Sequence, residues 1–255
     1  MTNEEFFEQF GHLANAPGGI ARLRRLILEL AVRGRLVPQD PNDEPASALV
    51  DRITKQREQL AAVGRLKGSK VSSASAEVVV SEAVSGWSVV RLGDAVTVQN
   101  GSAFESAAFN DAGQGMPLLR IRDIVRGVTE TWYDGPFDED FIVEPGDLVI
   151  GMDGNFNHAF WKGPPALLNQ RVCRLVFWSD ALNSRFVNYV LGGFLDEIHQ
   201  ATSSVTVKHL SSKTIANIRL PLPPVVEQQR IVERVKEMMA LCDELEAARA
   251  QREPD

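Results

Sequence analysis

Cysteine is scarce here: two residues in 255, Cys173 in an apolar strand-like run and Cys242 on a helical seam, which excludes a disulfide framework. Both read as small buried hydrophobes. The four histidines, His12, His158, His199 and His209, are scattered, and neither His-Glu-x-x-His nor Cys-x-x-Cys occurs, so no metal site is expected. No Gly-rich loop ends in Lys-Ser or Lys-Thr, and no Gly-x-Gly-x-x-Gly opens a helix after a strand, which argues against a bound nucleotide. Also missing are the Asn-Pro-Pro-Tyr or Asn-Pro-Pro-Phe segment that holds a flipped adenine and the paired acids plus lysine of a nuclease core. No catalytic residue and no cofactor is therefore assigned to this chain. No apolar run approaches the roughly 20 residues of a membrane span, and Glu4, Glu5 and Glu8 take the place of a signal peptide's basic flank. A cytoplasmic protein without membrane contact is expected. A basic excess is absent too: 27 Lys and Arg against 34 Asp and Glu give a net charge of -7, which excludes indiscriminate binding to phosphate. Any contact with DNA must be local.

Helical and strand periods divide what is present. Ile20, Leu23, Ile27 and Leu30 recur at helical spacing within Gly19 to Val32, and Gly34 followed by Pro38 ends that helix. After the turn-rich Pro38 to Pro45, Leu49, Ile53, Leu60 and Val63 describe a second amphipathic helix with Arg52, Lys55, Arg57 and Glu58 on its wet side. Gly64 to Gly86 is Ser- and Ala-rich, a linker or mobile loop around the strand-like Val78 to Val80. From Trp87 the period becomes two. Trp87 to Leu92, Ala95 to Val98, Leu118 to Ile124, Asp147 to Met152, Arg171 to Phe177 and Ile215 to Leu220 read as strands, and Ser184 to Ile198 as a helix. The fold class expected is α/β (α+β), one mixed domain with a strongly bent sheet flanked by helices.

Pro221-Leu222-Pro223-Pro224 stops the last strand, and prolines suit the entry to a helix, where a missing N–H is harmless. Beyond it Ile231, Val235, Met238, Cys242 and Leu245 are spaced 4, 3, 4, 3, drawing one apolar seam. A seam needs a partner helix, so these five, with Leu23, Ile27 and Leu30, are the expected assembly residues. The units expected are 1–70 (helical), 71–85 (linker), 86–222 (sheet-containing) and 223–255 (coiled-coil helix).

Side chains of the kinds that read base edges sit in predicted loops. Arg120, Arg122 and Arg126 cluster around one strand and its exit, placed either to fork onto guanine O6 and N7 or to pair with Asp123 and nearby acids. The Gly-punctuated loop Gly151 to His158 carries Asn155, Asn157 and His158, and its amides serve either adenine or the turn itself. Gln170 and Arg171 lead into a strand, Arg171 being alternatively a buried partner for a carboxylate. Ser203, Ser204, Thr206 and Lys208 make a hydroxyl-rich loop suited to phosphate contacts, or a turn without a ligand.

Three separated segments, in order, carry a family likeness. The first runs from Leu23 to Asp40 and on through Asp43-Glu44-Pro45-Ala46. The second comprises Gly86-Trp87, Leu92-Gly93-Asp94, Pro145-Gly146-Asp147-Leu148-Val149, Asp153-Gly154-Asn155-Phe156 and Leu167 to Cys173. The third joins Pro221-Leu222-Pro223-Pro224 to Glu227-Gln228-Gln229-Arg230-Ile231-Val232 and Leu241 to Glu246. Together they resemble the specificity (S) subunits of type I restriction-modification systems. The resemblance implies a non-catalytic subunit with 86–222 as its target recognition domain. Such a subunit chooses a double-stranded DNA sequence and holds modification subunits that methylate adenine with S-adenosylmethionine, while a separate restriction (motor) subunit cuts. Usual members have two recognition domains held apart by antiparallel helices. One is present here, so the chain looks like a half-length S subunit. An arm of roughly 29 residues spans on the order of 40 Å, about one turn of duplex. The expectation is a homodimer pairing the 20–32 and 225–253 helices across subunits and reading an inverted repeat. A related methylation-based phage-defence system would use the same chain, and a scaffold half-subunit that binds no DNA is the competing class.

Overall fold

The computed structural model describes residues 16–63, 79–80, 84–201 and 209–251. Helix α1, Gly19–Val32, has the predicted bounds and buries Ile20, Leu23, Ile27 and Ala31. Its end is set by Gly34 at φ 63, where the Gly34 and Arg35 N–H groups donate to Ala31 and Leu30 in a Schellman motif. Helix α2, Ala46–Ala62, buries Leu49, Val50 and Ile53 and also Arg57. The last corrects the wet-side reading: Arg57 donates to Asp94 at 3.2 Å and lies 6.0 Å from the Trp178 ring, joining α2 to the sheet-containing region.

The mixed α/β class expected is found, with the strands arranged in three sheets. Strands β1 (Val79–Val80), β2 (Ser88–Arg91) and β12 (Arg219–Leu222) form an antiparallel sheet in the order β1-β2-β12, with Pro221 tolerated because β12 is an edge. Strands β3 (Val96–Asn100), β8 (Leu148–Gly151), β9 (His158–Phe160) and β11 (Val172–Phe177) form a second, β3-β11-β8-β9, all antiparallel. Strands β4 (Phe109–Asn110), β5 (Met116–Leu119), β6 (Trp132–Tyr133), β7 (Ile142–Val143) and β10 (Ala166–Leu168) form a third in the order β4-β6-β5-β10-β7, with only β5 and β10 parallel. The predicted strand over 118–124 stops at Leu119 and turns into a short helix, α3, Asp123–Arg126. Ile215 also lies in a helix, α5, Ser212–Ala216, because the Ser211 hydroxyl accepts the Thr214 N–H and caps it. Helix α4 is Ser184–Ala201 and α6 is Val225–Ala250.

The largest core gathers α1, α2, α4, α6 and the inner faces of β2, β3, β8 and β11. Within it α6 runs antiparallel to α1: Arg249 donates to the Ala16 carbonyl, Arg24 pairs with Asp243 and Glu246, and Arg230 pairs with Asp43. Leu23, Ile27, Ile231, Val235, Met238 and Cys242 are all buried in this pair, with Leu30 and Leu245 half-buried. The seam is thus covered by the chain's own helix, and the expected need for a second chain to cover it does not arise. Both cysteines are buried thiols, and burial pushes Cys173 up to about 12.

The Glu227-Gln228-Gln229-Arg230 run ties this joint. Buried Gln228 accepts the Asn183 N–H and donates to the Pro223 carbonyl, while buried Glu227 accepts from Trp87 Nε1 at 3.0 Å and from Gln39. Burial holds the Glu227 carboxyl above the ordinary glutamate range, outweighing the Trp87 and Gln39 hydrogen bonds and the Arg230 charge. The folded state therefore takes up this proton more readily than the unfolded chain, and the associated stability is lost as pH rises through the raised value. Glu227→Gln keeps an acceptor for Trp87 and removes the titration. Its melting temperature relative to wild type is expected to climb as pH rises above the ordinary glutamate range; a pH-independent difference refutes the assignment.

Candidate nucleic-acid interface

Two loops and a strand end meet at one edge of the sheets. The Gly101 N–H donates to the Val172 carbonyl and the Ser102 N–H to Leu168, both at 2.9 Å, so the exit of β3 lies directly on the 168–172 segment. A side chain at 101 would place its Cβ inside 3.0 Å of the Asn169 and Leu168 carbonyls, which is why glycine stands there. The pinch brings Phe104 and Glu105 together with Gln170, Arg171, Arg120 and Arg122 around a cleft of about 730 Å³. Phe104 leans on Tyr133 with ring centroids 4.9 Å apart, giving the cleft an aromatic wall.

The arginines of this edge differ in what they touch. Asp123, 0% exposed, accepts the Arg120 N–H at 3.0 Å and sits 3.8 Å from Arg122 Nε and 4.0 Å from Arg126 Nη1. Arg122 also donates to Thr131 Oγ1, and Arg126 to Glu130, whose hydrogen bond raises the Arg126 pKa. Arg171 pairs with Asp153 at 3.3 Å while remaining 57% exposed, so it is not the buried partner of a carboxylate. The Arg120 guanidinium and the Gln170 amide make no hydrogen bond among the described residues, and Gln170 is exposed.

The 151–158 loop is built around Phe156, the one non-glycine residue with positive φ (51°) among those described. It is 1% exposed and meets His199 edge-on at 5.5 Å, an anchor whose backbone strain, about 1–3 kcal/mol, is held by the surrounding core. Anchoring Phe156 leaves Asn155 exposed beside it. Asn157 is half-buried, and its carbonyl accepts the Gly151 N–H, which serves the turn. His158 departs from the expected reading surface: its ring meets the Asn188 carbonyl of α4 at 3.2 Å, and burial lowers its pKa. Asp153 also holds His209 Nδ1 at 2.8 Å. Ser203, Ser204, Thr206 and Lys208 lie outside the described residues.

Arg120, Arg122, Gln170 and Arg171 are thereby brought to one cleft, Arg126 to its flank and Asn155 to the neighbouring loop, which Asp153 links to Arg171. Sequence reasoning named Asp123 only as an ion-pair partner and Asp153 and Phe156 only within the family likeness, and did not name Glu105; all four position or complete this edge. The Gly154-Asn155-Phe156 step in the loop was the available signal for Phe156.

A recognition lobe with a cationic, amide-bearing edge, mounted on an antiparallel helix pair, is the class that this fold and edge define. Residues 84–252 match the type I restriction modification DNA specificity domain, and the chain belongs to that family. It is 45% identical over 161 residues to the type I restriction enzyme EcoBI specificity subunit of Escherichia coli, covering 63% of this chain and 34% of that protein. It is 34% identical over 256 residues to the EcoAI specificity subunit of the same organism, covering 93% and 43%. The chain therefore spans less than half the length of either relative. Its fold is similar to the HsdS subunit from Thermoanaerobacter tengcongensis, with a TM-score of 0.52 at 20% identity over 89% of this chain and 52% of that one. A second solved chain, from work on complex assembly and conformational transition of the type I R-M system, gives 0.55 at 20% identity over 91% and 53%.

Proposed function

We propose that this chain is a non-catalytic DNA sequence-specificity subunit. It reads one half of a target and recruits modification subunits that methylate adenine with S-adenosylmethionine, with a restriction subunit joining where the system has one. The observation that carries this reading is the edge on which Arg120, Gln170 and Arg171 share a cleft and Asn155 stands on the adjoining loop, in a chain of net charge -7. Local guanidinium and amide groups on an acidic protein favour base-edge contacts over bulk phosphate attraction. Footprinting of the complex with its modification subunits is expected to give a sequence-defined protected site. Protection without sequence preference, or none, would leave only a scaffold.

A homodimer belongs to the same proposal: two copies place two recognition lobes on the two halves of an inverted repeat. Because α1 and α6 close on each other within each chain, the contact between copies falls on their outer faces, where Val226 is 50% exposed. Light scattering of the DNA-bound complex is expected to count two copies. A strict single copy overturns the dimer and leaves half-site reading standing.

A further inference from the structure

The charges of the cleft are mixed, and this limits what fits it. Glu105, exposed on one wall, would repel a phosphate, yet a carboxylate is suited to accept from an exocyclic amine. Arg120 shares the cleft with Glu105, and no ion pair joins the two among the described residues. The other three arginines of this edge are engaged with Asp153, Thr131, Asp123 or Glu130. A guanidinium fork needs two adjacent acceptors, and in the major groove only guanine, through O6 and N7, offers them, while its cytosine partner offers the N4 amine. A·T pairs interleave donor and acceptor and do not match a fork beside a carboxylate.

We infer that the cleft is a subsite for one G·C pair, with Arg120 reading the guanine and Glu105 the cytosine. This rests on the DNA-reading function proposed above. Asp123 acts as a positioning residue: fully buried, it takes the Arg120 N–H through Oδ2 and donates its own N–H to the Arg120 carbonyl at 2.9 Å, fixing the backbone from which the fork projects. Phe104, backed by Tyr133, lines the same cleft with an aromatic face.

The test is selection of bound duplexes from a randomised library by the full chain with its modification subunits. Wild type is expected to select a motif containing an invariant G·C pair. With Arg120→Ala, discrimination at that one position is expected to fall about 10- to 100-fold while the rest of the motif persists. Arg120→Gln is expected to shift the same position towards A, since a Gln amide pairs with adenine N6 and N7. A motif that no Arg120 substitution alters, or one relaxed equally at every position, overturns the subsite and spares the broader function. Failure of wild type to select any motif overturns both.

Discussion

Met238→Glu is expected to destabilise the native fold of the chain strongly rather than merely dissociate copies of it. Met238 is 1% exposed, one turn from Val235 and Cys242, and faces α1 where Leu23 and Ile27 are equally buried. A carboxylate there must either ionise in an apolar seam or remain protonated without a partner, and a buried polar group without a hydrogen bond costs several kcal/mol. Against a total stability of about 5–15 kcal/mol, a loss of roughly 4 kcal/mol removes a large part of the margin and lowers the melting temperature by on the order of 10 °C. Met238→Leu conserves volume and polarity and should cost under about 1.5 kcal/mol. Thermal melts by circular dichroism with light scattering separate the cases. If Met238→Glu melted like wild type and lost only its oligomeric state, the seam would lie between chains, and the intrachain pairing of α1 with α6 would be wrong.

That alternative mirrors what periodicity does and does not disclose. The 3-4 spacing of Ile20, Leu23 and Ile27 and the 4-3-4-3 spacing from Ile231 marked α1 residue for residue and the buried stripe of α6, because a helix must cover its apolar face locally. The stripe states that cover is required and leaves the covering element open; α1 and α6 are some 200 residues apart, and only the fold brings them together. Arg57 was misread for the same reason, its partner Asp94 lying 37 positions on and its place in α2 resembling an ordinary solvated face. Strands such as β4, β6, β7 and β9, two or three residues each, are too short to show a period of two. Among the reading residues, types and loops were legible and orientation was not: Arg120 and Arg171 share a cleft, whereas His158, three positions from Asn155, turns inward to α4. Asp123 looked like a surface ion-pair mate of its neighbouring arginines. Its buried carboxylate organises the turn from which they emerge.

Gly101→Ala is the substitution expected to damage the cleft most directly. Gly101 needs no positive φ, so alanine suits its backbone, and the whole cost is steric. The added Cβ meets the Asn169 carbonyl group and the Leu168 carbonyl oxygen, which are backbone atoms of a β10–β11 connection pinned on both sides by strands and unable to swing away like the end of a side chain. Relief requires the β3 exit to move off, which sacrifices the Gly101-to-Val172 and Ser102-to-Leu168 hydrogen bonds at about 1 kcal/mol each, in addition to roughly 1–3 kcal/mol of overpacking. A fall in melting temperature of about 5–15 °C is expected. At temperatures where the variant remains folded, Phe104 and Glu105 should stand displaced from Gln170 and Arg171, and the selected DNA motif should degrade. Gly193→Ala provides the contrast: on the exposed face of α4, with no atom within 4 Å of the new Cβ, it is expected to stabilise by about 0.5–1 kcal/mol and leave the motif intact. If Gly101→Ala melted and selected DNA as wild type does, the pinch between β3 and the 168–172 segment would not be what shapes the cleft.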